Sequence, residues 1–307
     1  MLDNAPQFSD LAYWDNIVNR FIQCEYPYVL IPDIERQIWD YFKYCLKSQN
    51  RYFFKNPLIT IIKESFEKNI YTLKKDTKIF RARNDEQHKL WKENFDYSVF
   101  LDTPRSLENL KKMNYDSAKL EELRTNYYNI LNSPESARIK NKLDRGFQGY
   151  DADDCGAPPS EKALAGRCNC EGVAYLYAAQ EEHTAVVEIR PYVEDTISIA
   201  TLKPIRDLRL VNLDYDPSSM ISGAEFFYNE IQQEFARVNR GQKNDYLITQ
   251  YITSLAEHLG YDGLCFRSSL VEDGTNYVIF QSNNCKAVSS KICYLKGVKY
   301  QYFQFKP

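Results

Sequence analysis

The sequence lacks an excess of charge of either sign. Its 39 Lys and Arg stand against 42 Asp and Glu, a net charge of −3. That balance offers no electrostatic basis for nucleic-acid binding. No apolar run approaches the roughly 20 residues that a membrane span needs. The opening MLDNAPQFSDLAYWDN has no basic stretch followed by an apolar core, so a secretory leader is not expected. G-x-G-x-x-G and G-x-x-x-x-G-K-[ST] are both absent, which leaves a Rossmann or P-loop nucleotide site unsupported. There is no internal repeat, heptad pattern or low-complexity tract. There is also no C-x₂-C pair near the Cys cluster. Cys168 and Cys170 are spaced C-x-C, Cys155 lies upstream, and His183 lies beyond the next apolar segment. No fourth ligand sits at finger-like spacing, so free thiols are expected there and no metal. Eight Cys without an export signal read as reduced thiols of a cytoplasmic protein.

The chain has 307 residues, enough for one large domain or a domain with a smaller appendage. Hydrophobic content of 44% and charged content of 26% are ordinary for a globular chain. The 24 Tyr are many, and they ease the building of ring-lined grooves. Residues 1 to about 75 read as a helical appendage, with helices expected at 9–24, 33–47 and 56–69. In the second, Ile34, Ile38, Tyr41, Phe42 and Cys45 recur at helical spacing, and Asp33 suits an N-cap.

The texture changes at Thr77–Arg83, where Phe80 and Ala82 alternate with Arg81 and Arg83 as in a short strand. Residues 84–150 read as a polar, helical insertion, clearest at 117–131, running into a Gly-, Asp- and Pro-rich loop at 146–165. Strands are then expected at 173–179, 184–190, 196–201 and 207–213. Helices follow around Phe226–Phe235 and at 246–259, and strands at 263–268 and 276–281 close the domain. Strands and helices do not alternate regularly, which argues for an α+β fold over a doubly wound parallel sheet.

One residue is out of place in this reading. In Thr184-Ala185-Val186-Val187-Glu188-Ile189 a carboxylate sits within an apolar run. As a strand, the run puts Thr184, Val186, Glu188 and Arg190 on one face. A hairpin with 173–179 would bring Glu188 beside a Tyr. Arg167 and Asn169 precede it, Arg81 and Arg83 share a strand face upstream, and Ser268 and Ser269 end a strand downstream. Arg, Tyr, Glu and Ser around one cleft would suit a phosphorylated ligand bearing an aromatic ring. A structural Arg–Glu pair is the plainer alternative. Separately, Arg83 and His88 form an R-x₄-H spacing that resembles the catalytic motif of HEPN ribonucleases.

The runs G-R-C-N-C-E-G-V-A-Y-L-Y-A-A and T-A-V-V-E-I-R-P resemble the RES domain. So do Y-L-I-T-Q-Y-I, G-Y-D-G-L-C-F-R-S-S and N-Y-V-I-F, with F-R-A-R upstream as a first Arg motif. The resemblance covers roughly residues 77–283 within an expected domain of 76–307. It implies an ADP-ribosyltransferase-like split β-sheet core with helices, and an enzyme that consumes NAD⁺. By motif, the catalytic set is Glu188, Arg81 and Ser268. The substrate-binding set is Arg167, Tyr177 and Asn169, with Arg83 and Ser269 as alternates to Arg81 and Ser268. NAD⁺ is then a substrate, and no cofactor or metal is expected. The resemblance further implies a toxin or defence effector with an antitoxin or regulatory protein, or a second copy of the chain, as partner. Inorganic phosphate, water or a macromolecule would be the acceptor. Some larger relatives carry a HEPN-like helical N-terminal region.

Overall fold

The computed structural model describes residues 11–23, 33–49, 56–85, 134–214, 225–237 and 246–299, with Thr125 and Asn129 between them. It is a mixed α+β chain. The early elements are α1 Leu11–Ile22, α2 Ile34–Ser48, α3 Leu58–Lys68, β1 Ile70–Leu73, β2 Ile79–Asn84 and α4 Pro134–Asp144. Next come β3 Leu176–Ala179, α5 Glu182–Glu188, β4 Thr196–Pro204, β5 Leu208–Asn212, α6 Glu225–Ala236 and α7 Leu247–His258. The last strands are β6 Gly263–Arg267, β7 Thr275–Ile279 and β8 Cys285–Tyr294.

The chain folds into two compact units. The first takes Met1–Thr77, Ala157–Gln180 and Pro204–Asn284. Its strands run in the order β1-β5-β6-β7-β3. Only β5 and β6 are parallel; β1 with β5, β6 with β7 and β3 with β7 are antiparallel. The second unit takes Lys78–Gly156, Glu181–Lys203 and Cys285–Pro307. Its strands run β2-β4-β8, with β2 antiparallel to β4.

The core of the first unit explains where the N-terminal helices go. On α2 the residues at helical spacing, Ile34, Ile38, Tyr41, Phe42 and Cys45, are all buried, as is Trp39. They do not form a separate cluster. Phe42 meets Tyr251 of α7 edge-on at 5.8 Å, Phe21 of α1 meets Phe227 of α6 at 5.9 Å, and Phe66 of α3 meets Tyr261 at 6.0 Å. Arg36 closes the seam with a bidentate pair to Glu230 of α6 at 2.9 and 3.0 Å. The segment expected as an appendage therefore shares one apolar core with α6, α7 and the strands. Local periodicity showed which face of each helix is apolar, but not which surface it would meet.

Several local expectations need correction. Asp33 stands at the N-cap of α2 in the left-handed region (φ 57°) and its side chain makes no capping bond. Strands β1 and β8 were not foreseen. β8 (CKAVSSKICY) hides because its apolar residues are mostly half-buried and a serine, Ser290, is the one buried residue, so no clean apolar alternation marks it. The expected helix at 117–131 lies outside the described residues apart from Thr125 and Asn129, both helical. The largest correction is 184–190. It is not a strand, no hairpin with 173–179 exists, and β3 pairs with β7 instead. A four-to-seven-residue β-branched run suits either state. Here Glu181 and Glu182 flank the N-terminal turn, where negative charge favours helix, and Thr184 and Ala185 bury as adjacent members of one helical face.

Removing α1–α3 should expose the shared core. A fragment starting near Asp76 is expected to aggregate in light scattering, through its uncovered apolar surface. In the full chain, Phe42→Ala should lower stability by about 3–5 kcal/mol in denaturant titration. A fragment that stays monomeric with native circular dichroism would contradict the shared core.

Candidate functional site

Arg167 is carried by an irregular loop that would be costly to bury without internal partners. Three side chains supply them. Asn169, 5% exposed, donates through Nδ2 to the carbonyls of Leu164 (2.9 Å), Cys170 (3.1 Å) and Val173 (2.8 Å). Its Oδ1 accepts the Tyr177 hydroxyl at 2.7 Å, and that hydroxyl in turn accepts the Cys168 N–H at 3.1 Å. From α7, Gln250 Nε2 donates to the carbonyls of Gly166 and Asn169, both at 3.0 Å. Cys170 Sγ donates to Gln250 Oε1 at 3.3 Å, and Thr249 Oγ1 donates to the Arg167 carbonyl at 2.6 Å. Gly166 has a steric reason. A Cβ there would lie 2.6 Å from Asn169 Oδ1 and 3.1 Å from the Tyr177 hydroxyl.

The polar groups of Asn169 and the hydroxyl of Tyr177 help to build the loop. Burial pushes the Tyr177 hydroxyl well above its ordinary pKa, so it stays a donor to Asn169. The product of this construction is the half-buried Arg167. Its guanidinium donates to the Arg237 carbonyl at 2.9 Å and lies 6.0 Å from the Phe266 ring centre. Thr249 and Gln250 were missed at the sequence level. Their one signal was a polar pair in the otherwise apolar run Y-L-I-T-Q-Y-I.

Ser268, also in the first unit, directly follows β6 and is 8% exposed. Its Oγ accepts the N–H groups of Leu270 and Val271, both at 3.1 Å, and so closes the β6–β7 turn. The neighbouring Ser269 hydroxyl is buried and has no hydrogen-bond partner among the described residues.

The second unit holds Arg81, Arg83 and Glu188. Arg81 lies opposite Ala200 and Arg83 opposite Ser198 across the β2–β4 ladder, so small side chains flank both guanidinium groups on that face. Arg83 donates to the Gly156 carbonyl at 2.6 Å and lies 5.9 Å from the Tyr150 ring centre. It thereby tethers the 146–156 loop, which Ser198 and Ser290 also grip through the Tyr150 and Gly149 N–H groups at 2.9 and 3.0 Å. Helix α5 packs on β2, and Glu188 is its last residue. Glu188 shares a helical face with the buried Thr184 and Ala185 and is itself half-buried. The cost of a carboxylate sealed among Val and Ile therefore does not arise. His88 lies outside the described residues. Among the described residues no group of three or more His, Cys, Asp and Glu could hold a metal ion, and no helix is long and apolar enough to cross a membrane.

A family model for the RES domain matches residues 137–302, which include Gly166–Asn169, Tyr177, Glu188 and Ser268. The F-R-A-R run with Arg81 and Arg83 lies before the match. No curated protein matches the chain. Among solved structures, the M. tuberculosis MbcT–MbcA toxin–antitoxin complex is similar at 12% identity with a TM-score of 0.31, covering 45% of this chain and 76% of that chain.

Burial pushes the Cys168 thiol up to about 12. The unfolded thiol ionises near its ordinary value of 9.0, so the unfolded state loses this proton first as pH rises. The thiol's contribution to stability is full below about pH 9 and is lost progressively towards pH 12. In the native protein Cys168 is expected to resist alkylation at pH 8.5 and to react only after unfolding, which peptide mass spectrometry would show.

Proposed function

Since this chain belongs to the RES domain family, we propose that it is an NAD⁺-degrading enzyme that cleaves the bond between nicotinamide and ribose. The observation that carries the reading is Glu188 at the C-terminal end of α5, on a helix packed against the strand that bears Arg81 and Arg83. Cleavage of this bond needs both kinds of charge. The diphosphate of NAD⁺ is anionic, and a guanidinium binds phosphate oxygens in bidentate fashion. As the C1′–N bond breaks, its electron pair leaves with neutral nicotinamide and positive charge develops on the ribose. A carboxylate at a helix C-terminus, itself partially negative, favours that charge.

In this reading the family motifs assign Arg81 and Arg167 to the diphosphate. Arg83 is the alternate to Arg81, and its guanidinium also holds the Gly156 carbonyl. By the same motifs Glu188 is assigned to the ribosyl cation, and Ser268 or Ser269 to the nicotinamide ribose. The cation is then captured by phosphate, giving ADP-ribose-1″-phosphate, or by water, giving ADP-ribose and a proton. Transfer to a macromolecule is the third route. Products from NAD⁺ with and without phosphate separate all three. The family also supports a protein antitoxin or regulator, because uncontrolled NAD⁺ loss harms the producing cell. Loss of RNA in place of NAD⁺ would instead favour the Arg83–His88 ribonuclease reading.

Glu188→Gln keeps shape and removes charge. Turnover of NAD⁺ should fall by at least ~100-fold with the fold intact, and wild-type turnover would sink the mechanism. Arg81→Ala and Arg167→Ala should weaken NAD⁺ binding by roughly 2–5 kcal/mol. Nicotinamide mononucleotide, which lacks the diphosphate bridge, should be a poor substrate. Equal turnover of the two nucleotides would mean that neither Arg reads the diphosphate.

A further inference from the structure

We infer that Thr249 and Gln250, on the first turn of α7, are positioning residues that hold Arg167 in its ligand-binding place. The inference deepens the NAD⁺ reading and rests on it for the identity of the ligand. Its geometric part stands on the structure alone. Helix α7 has two faces. Tyr251, Ile252 and Ala256 enter the apolar core, where Tyr251 meets Phe42 of α2. The other face is a polar stripe of Thr249, Gln250, Thr253 and Glu257. Thr249 and Thr253 are fully buried and Gln250 is 9% exposed.

A buried polar stripe is retained only when each group is satisfied. Here Thr249, Gln250 and Glu257 find partners in the stretch Gly166–Tyr175. Thr249 takes the Arg167 carbonyl (2.6 Å), and Gln250 takes those of Gly166 and Asn169 (3.0 Å each). Thr253 donates to the Thr249 carbonyl at 2.7 Å, and Glu257 accepts the Tyr175 hydroxyl at 2.5 Å. The contact to the Arg167 carbonyl bears directly on the backbone that carries the guanidinium. Gln250 bridges the residue before Arg167 and the second residue after it. The two side chains therefore set the loop's height above α7 and the direction in which Arg167 leaves it. Neither has to touch the ligand. Their loss should loosen a prebuilt site, which costs binding because the loop must then be ordered by the ligand itself.

The test uses the full chain. Gln250→Glu keeps the shape but removes the N–H donors to the two carbonyls. Thr249→Val removes the hydroxyl at equal size, and Thr249→Ser restores it. Should Gln250→Glu fail to fold by circular dichroism, Gln250→Met keeps the volume without the charge. In hydrogen–deuterium exchange without ligand, peptides spanning Leu164–Val173 should exchange at least about tenfold faster in Gln250→Glu and Thr249→Val. The KM for NAD⁺ should rise on the order of 10- to 100-fold, with a smaller change in kcat, and Thr249→Ser should match the wild type in both measurements. Unchanged exchange in folded Gln250→Glu and Thr249→Val would overturn the clamp. Faster exchange with an unchanged KM would overturn its role in holding Arg167. A wild-type protein that leaves NAD⁺ intact would sink the proposed function, while the exchange measurements would still decide the clamp.

Discussion

Two buried side-chain amides, those of Asn169 and Gln250, carry the constraint on which the Arg167 loop depends. A buried amide left without partners costs several kcal/mol, and so does an orphaned backbone carbonyl. The stretch Leu164–Val173 has no strand or helix to absorb its carbonyls. The two amides take those of Leu164, Gly166, Asn169, Cys170 and Val173, and are satisfied by them in return. The loop can therefore be irregular and still enter the interior. Gly166 follows from the same packing, because the Asn169–Tyr177 pair occupies the space a Cβ would need.

The same helix that supplies Gln250 also supplies Tyr251 to the core shared with α2. One short element thus joins a polar seat for the Arg167 loop to an apolar seat for the N-terminal helices. The first unit has no free-standing N-terminal part among the described residues. Its helices α1–α3 cover surface that α6 and α7 would otherwise expose. This is why residues far upstream of every motif in the family match belong to the stability of the unit that holds Arg167.

Glu188 illustrates how a residue can be singled out on a local structure that it does not adopt. A carboxylate inside an apolar strand would have been forced to pair or to do chemistry. On α5 it is half-buried at a helix end, so burial no longer compels a function. What singles it out is position: it follows Thr184 and Ala185 around a face of a helix packed on β2, the strand of Arg81 and Arg83. Arg83 is drawn into the 146–156 loop through the Gly156 carbonyl, a contact that strand alternation does not announce.

Much of this was legible in the linear order of residues. The apolar spacing of α2, α6 and α7, the Ile-rich alternation of β4 and the buried runs of β6 and β7 are local signals, and each element formed where its pattern lay. The motif G-R-C-N identified the loop that carries Arg167, because glycine, arginine and asparagine each answer a need within a few residues. Tertiary structure decided the rest. Whether T-A-V-V-E-I coils or extends depends on what its Thr and Ala pack against. The Asn169–Tyr177 pair depends on a hydrogen bond across eight residues, and the seat of the loop depends on Gln250, 81 residues beyond Asn169. These outcomes turn on which buried polar groups find partners, and a partner distant in sequence leaves no mark on the local pattern.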